Sequence, residues 1–166
     1  MAMCTRLCDE CNTVLTAYEN GSIIAYDLRS GGIPITTLTL YTEPIMCMDF
    51  HDANEVGRGI CGSMTKELCV FERHEEGLLE KRRVPVINEG FCSVHVRPDG
   101  KIVASGGVDG RVRVFSWKTL KPLAVLDVHK ESVQTVRFSK DSVCKVGPLL
   151  AAGSKDRTVT LWSLYN

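Results

Sequence analysis

The sequence predicts an all-β protein built from about four small antiparallel sheets, and three observations carry that prediction. An aromatic column returns at Tyr26, Phe71, Phe115 and Trp162, at spacings of 45, 44 and 47 residues. The segments around it, such as Val112-Arg113-Val114-Phe115 and Val159-Thr160-Leu161-Trp162, mix β-branched and aromatic residues, the composition that strands favour. Asx-Gly pairs such as Asp99-Gly100 and Asp109-Gly110 stand between neighbouring runs, where a hairpin needs a positive φ.

The elements follow in order along each copy. A turn column reads Asn20, Thr65, Asp109 and Asp156, just ahead of the aromatic strand. An independent column set matches Ala2–Leu7, Ile45–Phe50, Phe91–Val96 and Val133–Phe138. Two registers returning at the same period define a structural repeat. No window holds a long helical apolar stripe, and the best attempt, Leu78 to Val84, ends at Pro85. Each unit therefore reads as a sheet of about four strands, with blades of approximately 1–41, 42–86, 87–129 and 130–166. One such sheet buries too little by itself, so radial stacking, the logic of a β-propeller, is the expected solution.

Composition narrows the function. The chain has 166 residues, 44% hydrophobic and 24% charged, which suits a packed globular core. Lys plus Arg count 20 and Asp plus Glu count 20, so no net positive field invites nucleic acid or a membrane surface. No run approaches the ~20 apolar residues of a membrane helix. The opening Met1–Asn12 has early charges and no apolar centre, so a secretory signal is not expected, and the eight cysteines are expected as reduced thiols of a cytoplasmic or nuclear protein.

The ending Gly153-Ser154-Lys155-Asp156-Arg157-Thr158-Val159-Thr160-Leu161-Trp162 resembles the repeat ending of the WD-repeat (WD40) family, and the resemblance spans the chain. Ser163 stands where that family usually has Asp, while the first copy keeps Tyr26-Asp27. The tract Leu149–Tyr165, with Gly110–Phe115 and Pro122–Leu126, is most similar to the G-protein β-like and ASTRA-associated group within that family. The resemblance implies a non-catalytic scaffold for protein–protein interactions with no cofactor. It also implies partners among the chaperone machinery that matures phosphatidylinositol-3-kinase-related kinases, or among chromatin-linked complexes. Members of the group carry a full ring. The chain is thus expected to form a partial, open propeller with a last blade that lacks its outer strand, and the alternative to a scaffold is a truncated isoform or fragment without independent function. The strand Thr158, Val159, Thr160, Leu161 and Trp162 then becomes an exposed edge, a possible partner site and a route to self-association.

In the family a His, a strand Ser or Thr, a turn Asp and a strand Trp form a hydrogen-bonded tetrad. His129, Asp156 and Trp162 match three of those positions, with Ala152 at the hydroxyl position. The third copy keeps Ser105 and Asp109 but has Phe115 for Trp, with Asn88 near the His position. These are expected to be structural groups, because no activated nucleophile stands beside the His. Cys4, Cys8 and Cys11 have the spacing of an iron–sulfur or zinc site, but Cys4 falls in a strand column and no second ligand pair exists, so no bound metal is expected. Gly57-Arg58-Gly59-Ile60-Cys61-Gly62 spells GxGxxG without a following helix, which favours a strand with small residues over a dinucleotide site. Lys81-Arg82-Arg83 reads as a solvated outer strand beside Glu75, Glu76 and Glu80.

Overall fold

The computed structural model describes residues 1–8, 12–52, 56–140 and 147–164. They form four antiparallel sheets, and no helix occurs among the described residues. The chain divides into two compact units, Met1–Ile87 and Asn88–Asn166, each holding two sheets.

In unit 1 the first sheet runs β1 (Ala2–Cys8), β2 (Thr13–Tyr18), β3 (Ser22–Asp27) and β4 (Ile33–Thr39), paired in that order. The second runs β5 (Ile45–His51), β6 (Gly57–Ser63), β7 (Glu67–His74) and β8 (Gly77–Pro85). In unit 2 the third sheet holds β9 (Phe91–Val96), β10 (Ile102–Gly107), β11 (Arg111–Ser116) and β12 (Pro122–Asp127). The fourth holds only β13 (Val133–Phe138), β14 (Leu149–Ser154) and β15 (Val159–Ser163). Every sheet is the up-and-down meander of a propeller blade, with sequence neighbours paired throughout.

The repeat columns become packing layers. In unit 1, Leu15, Ala17, Ile23 and Ala25 of the first sheet share one buried cluster with Ile45, Met48, Cys61 and Phe71 of the second. In unit 2, Ile102, Ala104, Val112 and Val114 of the third sheet do the same with Val133, Val136, Phe138, Leu150 and Ala152 of the fourth. Each fully buried Val, Leu or Ile contributes roughly 1.5–3 kcal/mol, so this sheet-on-sheet layer dominates the stability of each unit. Polar groups lock the first strands in register. Arg6 Nε donates to Asp49 Oδ1 at 2.8 Å, and Phe138 N donates to His95 Nδ1 at 3.1 Å.

Two turn glycines are fixed by the segment that crosses them. Gly21 (φ +76°) lies against the Tyr41 carbonyl, and Gly110 (φ +78°) has the His129 carbonyl 2.6 Å from where a Cβ would stand. Positive φ and close backbone approach together leave room for glycine alone. In β6, Gly57 and Gly59 face the rings of Phe50 and Phe71, which would collide with any Cβ. The GxGxxG stretch is accordingly a strand whose glycines make space for aromatic packing, with a strand and not a helix after it.

Candidate interaction surface and the polar networks beneath it

His129 is the centre of the best-formed polar cluster. The residue is buried, and its Nδ1 lies 3.3 Å from Asp156 Oδ2 and 3.0 Å from Thr158 Oγ1, while Nε2 lies 2.8 Å from Thr160 Oγ1. The Thr158 hydroxyl already donates to Asp156 Oδ1 at 2.6 Å, so it can only accept from the ring. Donor bookkeeping therefore makes Nδ1 a proton donor within the cluster. Trp162 meets the His129 ring edge-on, with centroids 6.2 Å apart. Asp156 also accepts from Lys130 N at 2.9 Å and Thr158 N at 2.9 Å. The Thr158 hydroxyl, above all, with these amides, holds its carboxyl far below the ordinary range.

The hydroxyl of this cluster comes from a strand that the family pattern does not indicate. Ala152 on β14 is paired directly with Thr160 on β15, so the missing group is supplied across the ladder. Sequence reasoning placed Thr158 and Thr160 on the exposed edge strand and missed their role as partners of His129. Their signal, a Thr-x-Thr pair just after the turn Asp, acquires meaning only once the register is known.

The third sheet solves the same problem with a charge. Ser105 is paired with Arg113, which makes a bidentate contact to Asp109, and Asn88 Nδ2 donates to Asp109 Oδ2 at 2.8 Å. Burial raises the Asp109 pKa, but the Arg113 guanidinium and the Asn88 amide outweigh it and leave the carboxyl below its usual value. Ser105 is buried, and its Oγ finds no partner among the described residues. The aromatic position here is Phe115, a ring without a polar hydrogen to offer.

In the second sheet the position equivalent to His129 is Tyr41, whose hydroxyl donates to the Cys61 and Glu67 carbonyls at 3.2 and 3.0 Å. Below it, Cys61 and Cys69 face each other across β6 and β7 and are wholly buried. Burial pushes the Cys61 thiol well up, and burial raises Cys4 to about 11 against the pull of Arg6. Burial shuts both away from reagent, and the raised Cys61 thiol holds little of the reactive thiolate, so Cys61 and Cys69 should resist a disulfide reagent in the folded chain and react on unfolding, after the half-buried Cys92. Rapid modification of Cys61 under native conditions, read by peptide mass, would refute this. Cys4 is half-buried on β1 and Cys8 buried at its end, whereas Cys11 lies outside the described residues. No group of three or more His, Cys, Asp or Glu side chains spaced for a metal occurs among the described residues. Lys81 and Arg83 sit on the outer strand β8, paired with Glu72 and Glu80 respectively.

The fourth sheet carries an exposed apolar surface. With three strands against four in the others, β15 is hydrogen-bonded on one side only among the described residues. Val159 and Leu161 are 72% and 64% exposed, whereas the equivalent Val112 and Val114 of β11 are at 0%. Thr158 is also exposed, while Thr160 and Trp162 are half-buried against the unit 2 core. An unpaired edge joined to an apolar face is a strand-recruiting and protein-binding surface.

Repeating meanders of blade type with these columns define a WD-repeat protein. The WD domain, G-beta repeat family matches residues 86–116 and 120–163. Among relatives, the chain is 40% identical over 153 residues to mouse guanine nucleotide-binding protein subunit beta-like protein 1, covering 92% of this chain and 44% of that protein. It is 41% identical to ASTRA-associated protein 1 of Schizosaccharomyces pombe, covering 99% of this chain and 48% of that one. The Aspergillus flavus protein of the same name is 29% identical over 92% of this chain and 47% of its own length. The chain thus spans about half the length of these relatives.

Proposed function

We propose that the chain is a non-catalytic WD-repeat scaffold that holds other proteins, and that it works in an ASTRA-type assembly or in the chaperone-assisted maturation of phosphatidylinositol-3-kinase-related kinases. The observation that carries the scaffold reading is the apolar face and open edge of the fourth sheet, set on the hydrogen-bonded network of His129, Asp156 and Thr160. Rigid sheets with a sticky margin suit binding, since function resides in a site rather than in a fold. The assembly is suggested by the name of the fungal relatives alone. The reading places the protein in the cytoplasm, the nucleus or both. Affinity-tagged wild-type chain should co-purify ASTRA subunits from cells, and Leu161→Glu, an exposed change, should lose them. Equal recovery by both forms, or none by either, would rule the reading out.

A further inference from the structure

We infer that the uncovered face of the fourth sheet is the seat for strand β1 of a second copy of this chain. The inference rests on the interaction surface just described. Its first support is the internal repeat. Within unit 1, Ile23 of β3 packs in one cluster with Ile45 and Met48 of β5; within unit 2, Val112 and Val114 of β11 pack with Val133, Val136 and Phe138 of β13. In that register Val159 and Leu161 are the next acceptor pair, and Ala2, Thr5 and Leu7 of β1 are the matching donor set. Both sets are wet: Leu7 is 57% exposed, and Ala2 and Thr5 are exposed, whereas Val133 and Val136 are at 0% and 1%. One chain therefore presents an acceptor surface and a different donor surface, the arrangement of a heterologous, head-to-tail contact.

Charge gives the second support. Residues 1–87 hold 8 Lys plus Arg against 13 Asp plus Glu, and residues 88–166 hold 12 against 7. Arg137, Lys140, Lys155 and Arg157 are all exposed around the fourth sheet. Unit 2, which bears the acceptor, is thus net basic, and unit 1, which bears the donor, net acidic, which favours the approach of two copies head to tail. One pair opposes the contact. Arg137 lies in the column in which Arg6 meets Asp49, so it would face Arg6 of the incoming copy.

Sedimentation velocity of the full chain over a broad concentration range tests the assignment. Wild type should associate reversibly and weaken with added salt. Leu161→Glu, which spoils the acceptor, and Leu7→Glu, which spoils the donor, should each be monomeric. Their equimolar mixture should form a dimer, because each supplies the surface the other lacks. Arg137→Asp should tighten wild-type association by about tenfold at most. A monomeric wild type, association that survives either single variant, or a mixture that stays monomeric would each overturn the second-copy assignment. If wild type is monomeric yet Leu161→Glu loses ASTRA subunits, the binding surface stands and its occupant is a different protein. The changed residues are exposed, so unaltered circular dichroism is expected. The Arg137→Asp arm leaves both apolar surfaces intact and still decides the question should a glutamate variant misfold.

Discussion

Gly21→Ala is expected to be among the most damaging single changes in unit 1, at about 3–5 kcal/mol. The residue sits at φ +76°, where an L side chain is strained, and its new methyl would be driven into the backbone of Tyr41. That backbone cannot yield cheaply. Leu40 N and Tyr41 N both donate to the Gly21 carbonyl, at 2.9 and 3.2 Å, and the Tyr41 hydroxyl ties the segment to the second sheet. The clash therefore reaches the packing between the two sheets of unit 1. Thermal melting should fall by more than about 10 °C, with exchange protection lost first in β3 and β5. Arg157→Gly is the matched control. It has the same backbone conformation with an exposed side chain, and it should change stability by less than ~1 kcal/mol. Equal effects at the two positions would show that the crossing segment is not what requires glycine.

His129→Ala is expected to cost unit 2 about 2–4 kcal/mol, by removing a buried ring and stripping partners from Thr160 and Asp156. Thr160→Val separates the hydroxyl from the packing. It keeps the shape, leaves His129 Nε2 without its hydroxyl partner, and should cost about 1–2 kcal/mol. Ala152→Ser should not rescue it if the cross-ladder hydroxyl holds the role. The Asp156 contribution carries a pH signature. Its pKa is depressed in the folded state, so its stabilisation is complete above the unfolded value near ~4 and is lost as pH falls below it toward the folded value. The penalty of Asp156→Asn should therefore be constant around neutrality and shrink on acidification below that point. Melting temperatures of the two proteins that stay equally far apart at every pH down to strong acid would disprove the linkage.

Much of this molecule was legible in one dimension. A period of 44 to 47 residues in the aromatic column, strand composition and Asx-Gly turns specify meandering four-stranded sheets, because side-chain alternation and turn chemistry are local properties. His129, Asp156 and Trp162 could be matched from their columns for the same reason: each follows a turn or strand whose place is set by near neighbours. What the chain alone could not reveal are pairings made across strands and sheets. The hydroxyl for His129 comes from Thr160 because antiparallel register sets Thr160 opposite Ala152, and Arg113 takes the corresponding place opposite Ser105. Tyr41 caps the second sheet with its hydroxyl where the fourth uses an imidazole, a substitution with no likeness in sequence. Residue chemistry does not distinguish Val159 and Leu161 from Val112 and Val114; their place in the last repeat made the strand an expected edge without showing which of its side chains face solvent. Only tertiary packing does so, by laying β13 over the valines of β11 while Val159 and Leu161 face solvent.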